Sequence, residues 1–300
     1  MEIKIGLVGL GKMGANLAKN MKDHHIDVVA FNRTLDKVKE IEESGIEGAY
    51  SLEELVNKLV SPKIIWLMIP AGKPVDDTID KLLPMLDEGD IIIDGGNSKY
   101  KDTLRRYKLL RDHGIHLVDA GTSGGTEGAR NGACMMVGGD SEVVENLEPT
   151  FKALCVENGY GHMGPAGAGH FVKMIHNGVE YGMMQAIGEG FEILQQSRFD
   201  LDMEQVSRVW NNGSIISGYL MQMTEQAFRE DPMLENILGI VDSSGEGLWT
   251  VEEALELQVP ASVITQALFT RYRSKQQDTF SGKVVAAQRN QFGGHYIHKK

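Results

Sequence analysis

The feature that most constrains this chain is Gly9-Leu10-Gly11-Lys12-Met13-Gly14. It follows an apolar run, Lys4–Val8, that reads as a buried strand, and it opens an amphipathic stretch, Met13–Lys22, that reads as a helix. A G-x-G-x-x-G is weak alone but strong at a strand-to-helix turn that begins a βαβ pattern. The first glycine permits the tight turn, the second lets backbone approach a pyrophosphate, and the third lets helix pack on strand. The helix N-terminus adds free N–H groups and the positive end of a dipole. Gly9, Leu10, Gly11, Lys12, Met13 and Gly14 are therefore expected to hold a dinucleotide.

The alternation continues. Apolar runs at Asp27–Phe31, Ile64–Ile69, Ile91–Asp94, His116–Asp119 and Cys134–Val137 read as strands. Asp36–Glu43, Leu52–Leu59, Val75–Leu86 and Lys101–His113 read as helices between them. This predicts an α/β, Rossmann-type doubly wound parallel sheet over residues 1–165. From Ala166 the pattern turns wholly helical. His170–Gln196, Met203–Trp210, Leu220–Phe228, Val251–Leu257, Val259–Lys275 and Ser281–Gln288 are the expected helices. Residues 166–300 are expected to form an all-α substrate and dimerisation domain ending in a polar tail. Glycines and Pro165 crowd the junction at Gly159–Gly169.

Forty-two acidic against 30 basic side chains leave a net charge of −12. That argues against nonspecific nucleic-acid binding and against docking on anionic membranes. The longest apolar run, Ile64 to Ala71, is too short to span a bilayer. Strand-like sequence begins at Glu2, so no signal peptide is expected. Cys134 and Cys155 are too few for a disulfide framework or a zinc site and are expected to be buried small hydrophobes. A reduced, cytoplasmic setting fits, and no bound metal is expected.

Cofactor selectivity is read at the end of the second strand, where an NAD-preferring site usually carries an acid. Here stand Asn32-Arg33-Thr34. Arg33 could fork onto a 2′-phosphate, which favours NADP, with NAD as the alternative. Ligands in such sheets bind beyond the carboxyl ends of the strands. That brings in Met68 and, within Asp94-Gly95-Gly96-Asn97-Ser98, Asn97, which can reach nicotinamide or substrate. Asp94 could be no more than a loop acid. Ser123, Gly124 and Gly125 offer a hydroxyl and exposed N–H groups, a cradle for a carboxylate or oxyanion.

The sharpest cluster is Lys173-Met174-Ile175-His176-Asn177-Gly178-Val179-Glu180-Tyr181. At about 100° per residue, Lys173, His176, Asn177 and Glu180 share one helix face. The rest of the helix is apolar, with Met174, Ile175, Met183, Met184 and Ile187. A lysine and a carboxylate on a largely buried helix must be paired or functional. Seven residues place them roughly 10 Å apart along the axis, which suits the two ends of a small ligand better than one ion pair. A buried lysine readily sheds its proton and can then act as a base while the carboxylate acts as an acid. A structural Lys–Glu pair is the alternative. Arg289 and His295 could clamp a phosphate. Their tail looks too polar and glycine-rich to order alone, so it is expected to reach into another subunit of a homodimer or homotetramer.

These motifs, with Ile93–Ser98 and the run Gly164–Tyr181, resemble those of the decarboxylating 6-phosphogluconate dehydrogenases of the short-chain type, nearly end to end. The resemblance implies oxidation of 6-phosphogluconate at C3 and loss of CO₂ to give ribulose 5-phosphate. It implies that Lys173 is the general base and Glu180 the acid that protonates C1 of the enediol left after CO₂ departs. Ser123, Gly124 and Gly125 would bind the carboxylate, and Asn97, His176 and Asn177 would orient the reacting groups. Tyr181, Arg271, Arg289 and His295 would bind the phosphate, the last two from a partner subunit. Longer members carry a phosphate-binding lysine in a glycine-rich loop, and the matching stretch here, Val241–Thr250, has none. The rival reading is a 3-hydroxyacid dehydrogenase or semialdehyde reductase that releases no CO₂; that class lacks the Glu180-Tyr181 pair and the Arg289…His295 tail.

Overall fold

The computed structural model describes residues 3–299. One sheet contains β1 (Lys4–Val8), β2 (Asp27–Phe31), β3 (Glu47–Ala49), β4 (Ile64–Leu67), β5 (Ile91–Asp94), β6 (His116–Ser123), β7 (Ala133–Gly138) and β8 (Cys155–Gly164). Its order is β3-β2-β1-β4-β5-β6-β7-β8. The first six strands pair in parallel, as the alternation predicts. β7 runs antiparallel to β6, so the sheet is mixed rather than wholly parallel. The link from Gly124 to Gly132 is shorter than the roughly dozen residues a parallel crossover needs. It holds only α6 (Gly125–Asn131), so the chain must turn back.

The strands are buried on both faces. Ile5, Leu7, Trp66 and Ile93 enter one core cluster, while Ile65, Leu67 and Ile92 enter the other. This is the period-two alternation of a strand read into two layers. α1 (Lys12–Asp23) covers the first face with Leu17, Ala18 and Met21, and α4 (Lys73–Leu82) covers the second with Val75, Ile79 and Leu82. Each leucine, valine, isoleucine or methionine among them contributes about 1.5–3 kcal/mol when fully buried.

Four elements lie outside the sequence expectations: β3, β8, α6 and α7 (Ser141–Leu154). Pro149 stands inside α7 without ending it, and Val143, Leu147, Phe151 and Leu154 keep helical spacing and are buried. The glycines of β8 read as a linker, yet the strand pairs with β7 and stacks Tyr160 on Phe151 at 5.6 Å. β6 also runs on through Ser123 instead of ending at Asp119. Cys134 and Cys155 are half-buried rather than buried. Burial, with Cys134 beside it, pushes the Cys155 thiol up to about 12.

Beyond Gly164 no described residue is in a strand. The helices are α8 (Ala168–Gln195), α9 (Met203–Asn211), α10 (Tyr219–Glu230), α11 (Gly245–Glu256), α12 (Ser262–Ser274) and α13 (Phe280–Gly293). The chain forms two compact units, one ending at Asn177 and the other beginning at Gly178. The expected seam at 165/166 falls just before α8, whereas the units divide within it. The first turns of α8 belong with the sheet because Gly169 lies against the backbone of Asp119, Met136 and Gly138. No helix among the described residues is long and apolar enough to cross a membrane.

The second unit buries little. Tyr181, Val251, Ala267 and Leu268 form one small cluster, and Phe191, Met221 and Phe228 another. Met183 and Met184, expected to line a buried helix, are 53% and 42% exposed. The tail does not fray at Arg289: α13 carries it in helical form to Gly293, though the helix buries none of its residues.

Candidate active site

The dinucleotide motif is built from three glycines with three separate tasks. Gly9 has φ 107°, and a Cβ there would overlap the Met68 carbonyl. A Cβ on Gly14 would overlap the Gly9 carbonyl. Gly11, the N-cap of α1, is different: no atom lies within 4 Å of where its Cβ would stand, and no side chain caps the helix. A side chain at Gly11 would fill this cradle, while the exposed N–H groups of α1 face outward for an anion. The residues present therefore fit a dinucleotide pyrophosphate.

Asn32 braces this turn, its Oδ1 accepting from the Leu10 amide at 2.9 Å and its Nδ2 donating to the Thr34 carbonyl. Arg33 and Thr34 are exposed beside it, and Arg33 makes no ion pair among the described residues. Leu10 is buried, Lys12 is exposed, and Met13 and Met68 are half-buried.

Asn97 projects exposed from the loop between β5 and α5 (Tyr100–Arg111). Asp94 is fully buried and holds that loop, accepting from the Gly96 amide at 3.2 Å and the Ser98 hydroxyl at 2.7 Å. It is thus a loop acid, and it also bonds Arg106 at 3.3 Å. Arg106 escaped the sequence reading. Its signal was available: Thr103, Arg106 and Leu110 lie on one helical face, and all three are buried.

The substrate-side residues of the first unit come together. Lys173 is 6% exposed, and its Nζ donates to Asn177 Oδ1 at 2.8 Å and lies 3.4 Å from His176 Nδ1. His176 Nδ1 also meets Asn177 Oδ1, at 2.9 Å. A carboxamide oxygen only accepts, so Nδ1 carries the proton and Nε2 keeps its lone pair. Nε2 then accepts the Ser123 hydroxyl at 3.2 Å. A continuous polar chain joins Lys173, Asn177, His176 and Ser123, and it offsets the cost of burying the lysine. Gly121 makes room for it, since a Cβ there would overlap the Lys173 stem.

Beyond Ser123 the backbone turns through Gly124 at φ 104° and Gly125 at φ 62°. Successive left-handed glycines aim N–H groups into an anion-binding concavity. Two further residues went unnoticed in the sequence. Asp119 caps α8, accepting from the Gly167 and His170 amides at 2.6 and 2.7 Å. His170 is buried, with Nδ1 on Thr103 Oγ1 at 2.7 Å and Nε2 unbonded.

α8 carries Glu180, half-buried, and Tyr181, buried, into the second unit. The Tyr181 hydroxyl meets Ser244 Oγ and accepts from the Ser244 amide, both at 3.1 Å. The Arg271 guanidinium lies 3.4 Å from the Tyr181 ring centre and donates to the Asp242 carbonyl. Tyr181 and Arg271 are thus brought together. Arg289 and His295 are not brought to them: both are exposed, and neither bonds Tyr181 or Arg271. Among the described residues no three His, Cys, Asp or Glu side chains gather as metal ligands.

Comparison with known proteins agrees with this geometry. Residues 4–174 match the NAD binding domain of 6-phosphogluconate dehydrogenase, and residues 169–289 match its C-terminal domain. The Bacillus subtilis protein YqeC, named as a candidate 6-phosphogluconate dehydrogenase, is 55% identical over 298 residues, covering 99% of this chain and 100% of its own. An NAD(+)-dependent, decarboxylating 6-phosphogluconate dehydrogenase of Haloferax volcanii is 43% identical, covering 99% of each chain. A solved Plasmodium falciparum 6-phosphogluconate dehydrogenase superposes with a TM-score of 0.84 at 31% identity, covering 99% of this chain and 66% of that one. With an NAD-binding unit and a helical unit both matched along their length, the chain belongs to the 6-phosphogluconate dehydrogenase family of oxidoreductases.

Proposed function

We propose that the chain oxidises 6-phosphogluconate and releases CO₂ and ribulose 5-phosphate, as a cytoplasmic enzyme of the pentose phosphate pathway. The observation that carries this reading is the buried chain Lys173–Asn177–His176–Ser123 beside the Gly124–Gly125 turn. Residues 1–165 bind the dinucleotide, and residues 166–300 bind the phosphorylated end of the substrate and a second subunit. NADP is the preferred cofactor, read by the exposed Arg33 beside Asn32 and Thr34, and NAD is the alternative. When bound, the dinucleotide accepts the hydride from C3.

Lys173, as a neutral amine, takes the C3 hydroxyl proton through Nζ while Asn177 and His176 orient that hydroxyl. Asn97 approaches it from the β5–α5 loop. The product of this step is a β-keto acid whose carboxylate rests on Ser123 and the amides of Gly124 and Gly125. The bond between C1 and C2 then breaks, CO₂ leaves, and its electron pair passes into an enediol as Lys173 returns its proton to the oxygen. Glu180 finally protonates the former C2, which becomes C1 of ribulose 5-phosphate, while Lys173 takes back the hydroxyl proton of the enediol to leave the ketone. No metal is needed, because the ketone itself accepts the electrons. Tyr181 and Arg271 hold the phosphate, completed by Arg289 and His295 of a second copy in a homodimer or homotetramer. The exposed apolar residues of α13 support that assembly, since a helix that buries nothing in its own chain lacks the packing that stabilises helices.

The test is formation of NADPH and NADH from 6-phosphogluconate with CO₂ trapped. One CO₂ per reduced cofactor is expected, faster with NADP. Reduced cofactor without CO₂ would replace this reading with a simple 3-hydroxyacid dehydrogenase. No turnover with either cofactor would place the substrate outside the phosphosugar acids, as Val241–Thr250, with Leu248 and no lysine, would then explain.

A further inference from the structure

Arg106 is 1% exposed, yet none of its hydrogen bonds goes to a residue given a part in the chemistry. Four of its five N–H donors are used. Nε donates to Asp76 Oδ1 at 2.8 Å, Nη2 to the Gly72 carbonyl at 3.0 Å, and Nη1 to Ser98 Oγ at 3.2 Å and Asp94 Oδ2 at 3.3 Å. These partners come from four places: the β4–α4 loop, α4 itself, the end of β5 and the β5–α5 loop. A buried cation stripped of partners is strongly destabilising, so this charge must be matched, and Asp76 and Asp94 match it. A lysine could match the charge but could not bond four segments at once, because only the planar fork has donors spread in fixed directions.

The two loops so joined are the ones that bracket the carboxyl ends of β4 and β5. They touch directly: a Cβ on Gly96 would stand 2.9 Å from the Ile69 carbonyl oxygen. Asn97 projects from between Gly96 and Ser98, the two residues whose amide and hydroxyl are tied to Asp94. We propose that Arg106 is a positioning residue that clamps these loops together, so that Asn97 and the Met68–Gly72 segment meet the nicotinamide end of the dinucleotide in fixed geometry. This rests on the proposed function only in placing nicotinamide between the two loops. Misplacing a reacting end by about 1 Å can cost on the order of a hundredfold in rate.

NADPH serves as the probe, because its fluorescence reports the surroundings of the nicotinamide without turnover. Three variants loosen the clamp: Ser98→Ala removes one hydroxyl, Asp76→Asn removes one charge, and Arg106→Lys keeps the charge without the fork. Arg105→Ala is the control, since Arg105 bonds the same Asp76 from a side chain 54% exposed. The Gly9–Gly14 cradle is untouched, so NADPH affinity should stay within about threefold of wild type in every case. The fluorescence gain on binding should fall by about half or more in the three clamp variants, and kcat with 6-phosphogluconate by about tenfold or more. Arg105→Ala should match wild type in both. Wild-type fluorescence and kcat in folded Ser98→Ala and Asp76→Asn would overturn the proposal, as would full rescue by Arg106→Lys. Losses that track only the fraction unfolded, measured by melting, would overturn it too. A wild type that binds NADPH with enhanced fluorescence but does not turn over 6-phosphogluconate would refute the substrate reading alone, leaving the clamp to the fluorescence result.

Discussion

The first unit finishes its own core and the second does not. α1 buries Gly14, Leu17, Ala18, Asn20 and Met21 against the sheet, whereas α13 buries nothing, with Phe280 79% and Phe292 77% exposed. Leu238, Leu255 and Val263 are likewise 70% or more exposed. So many large apolar side chains left exposed point to an interaction face rather than a finished fold. The difference teaches that the two units answer to different constraints. The sheet is specified within one chain, and the helices leave apolar surface that the proposed assembly would cover. The proposed functions divide in a similar way: the base Lys173 and its partners sit in the self-sufficient unit, and Glu180 and the proposed phosphate groups sit in the one that needs covering.

The largest effect should come from Lys173→Ala. Turnover should fall by about 10²–10⁴-fold, the usual worth of a positioned base, while melting changes little because the chain around it packs without help. Steady-state rates beside a melting curve check this; a parallel collapse of both would break the comparison by making the lysine structural. Next is removal of residues 277–300. It should convert the oligomer to a smaller species by sedimentation and cut kcat/KM about tenfold or more, the cost of losing charged phosphate contacts, while NADPH binding persists. Unchanged sedimentation would mean that α13 is not the assembly element.

A finer contrast lies inside the first unit. Gly14→Ala should destabilise by about 1–3 kcal/mol, because the methyl meets the Gly9 carbonyl. Gly11→Ala meets no atom and should shift stability by less than about 0.5 kcal/mol, the size usual for surface changes, while weakening cofactor binding. Denaturant melts and NADPH titrations separate the two. The smallest effect concerns acid. Burial pushes the Asp76 carboxyl up, but the bonds and charges of Arg106 and Arg105 outweigh it and hold the group below its ordinary 3.8. A lowered carboxyl contributes stability that is present above the ordinary value and is lost as pH falls through the folded one. Asp76→Asn should therefore lower stability near neutrality and flatten the acid limb below about pH 4. Equal acid slopes in the two proteins would show that the carboxyl is not held down.

Much of this was legible in the residues alone. Ile64–Leu67 and Ile91–Asp94 announce themselves because strands buried on both faces must be continuously apolar. Lys173, His176 and Asn177 announce themselves because polar groups at helical spacing on an apolar helix need a reason. β8 stayed hidden because its pairing with β7 is a tertiary fact that Gly159, Gly161 and Gly164 disguise locally. The reversal at α6 depends on a loop length, not on a pattern. Asp119 and Arg106 stayed hidden because a single buried acid or arginine looks like any surface charge until the fold shows what closes over it. The exposure of Met183 and Met184 was misread because apolar residues on a helix say only that something covers them, not whether it belongs to the same chain.

The open space at Gly11 has a consequence for how such a chain drifts. Gly9 and Gly14 are policed by folding itself, since any larger residue collides with backbone. Gly11 is policed only by use. A descendant released from its cofactor would lose the second glycine first and keep the other two. The middle position of the motif is therefore a record of whether the lineage still depends on its chemistry.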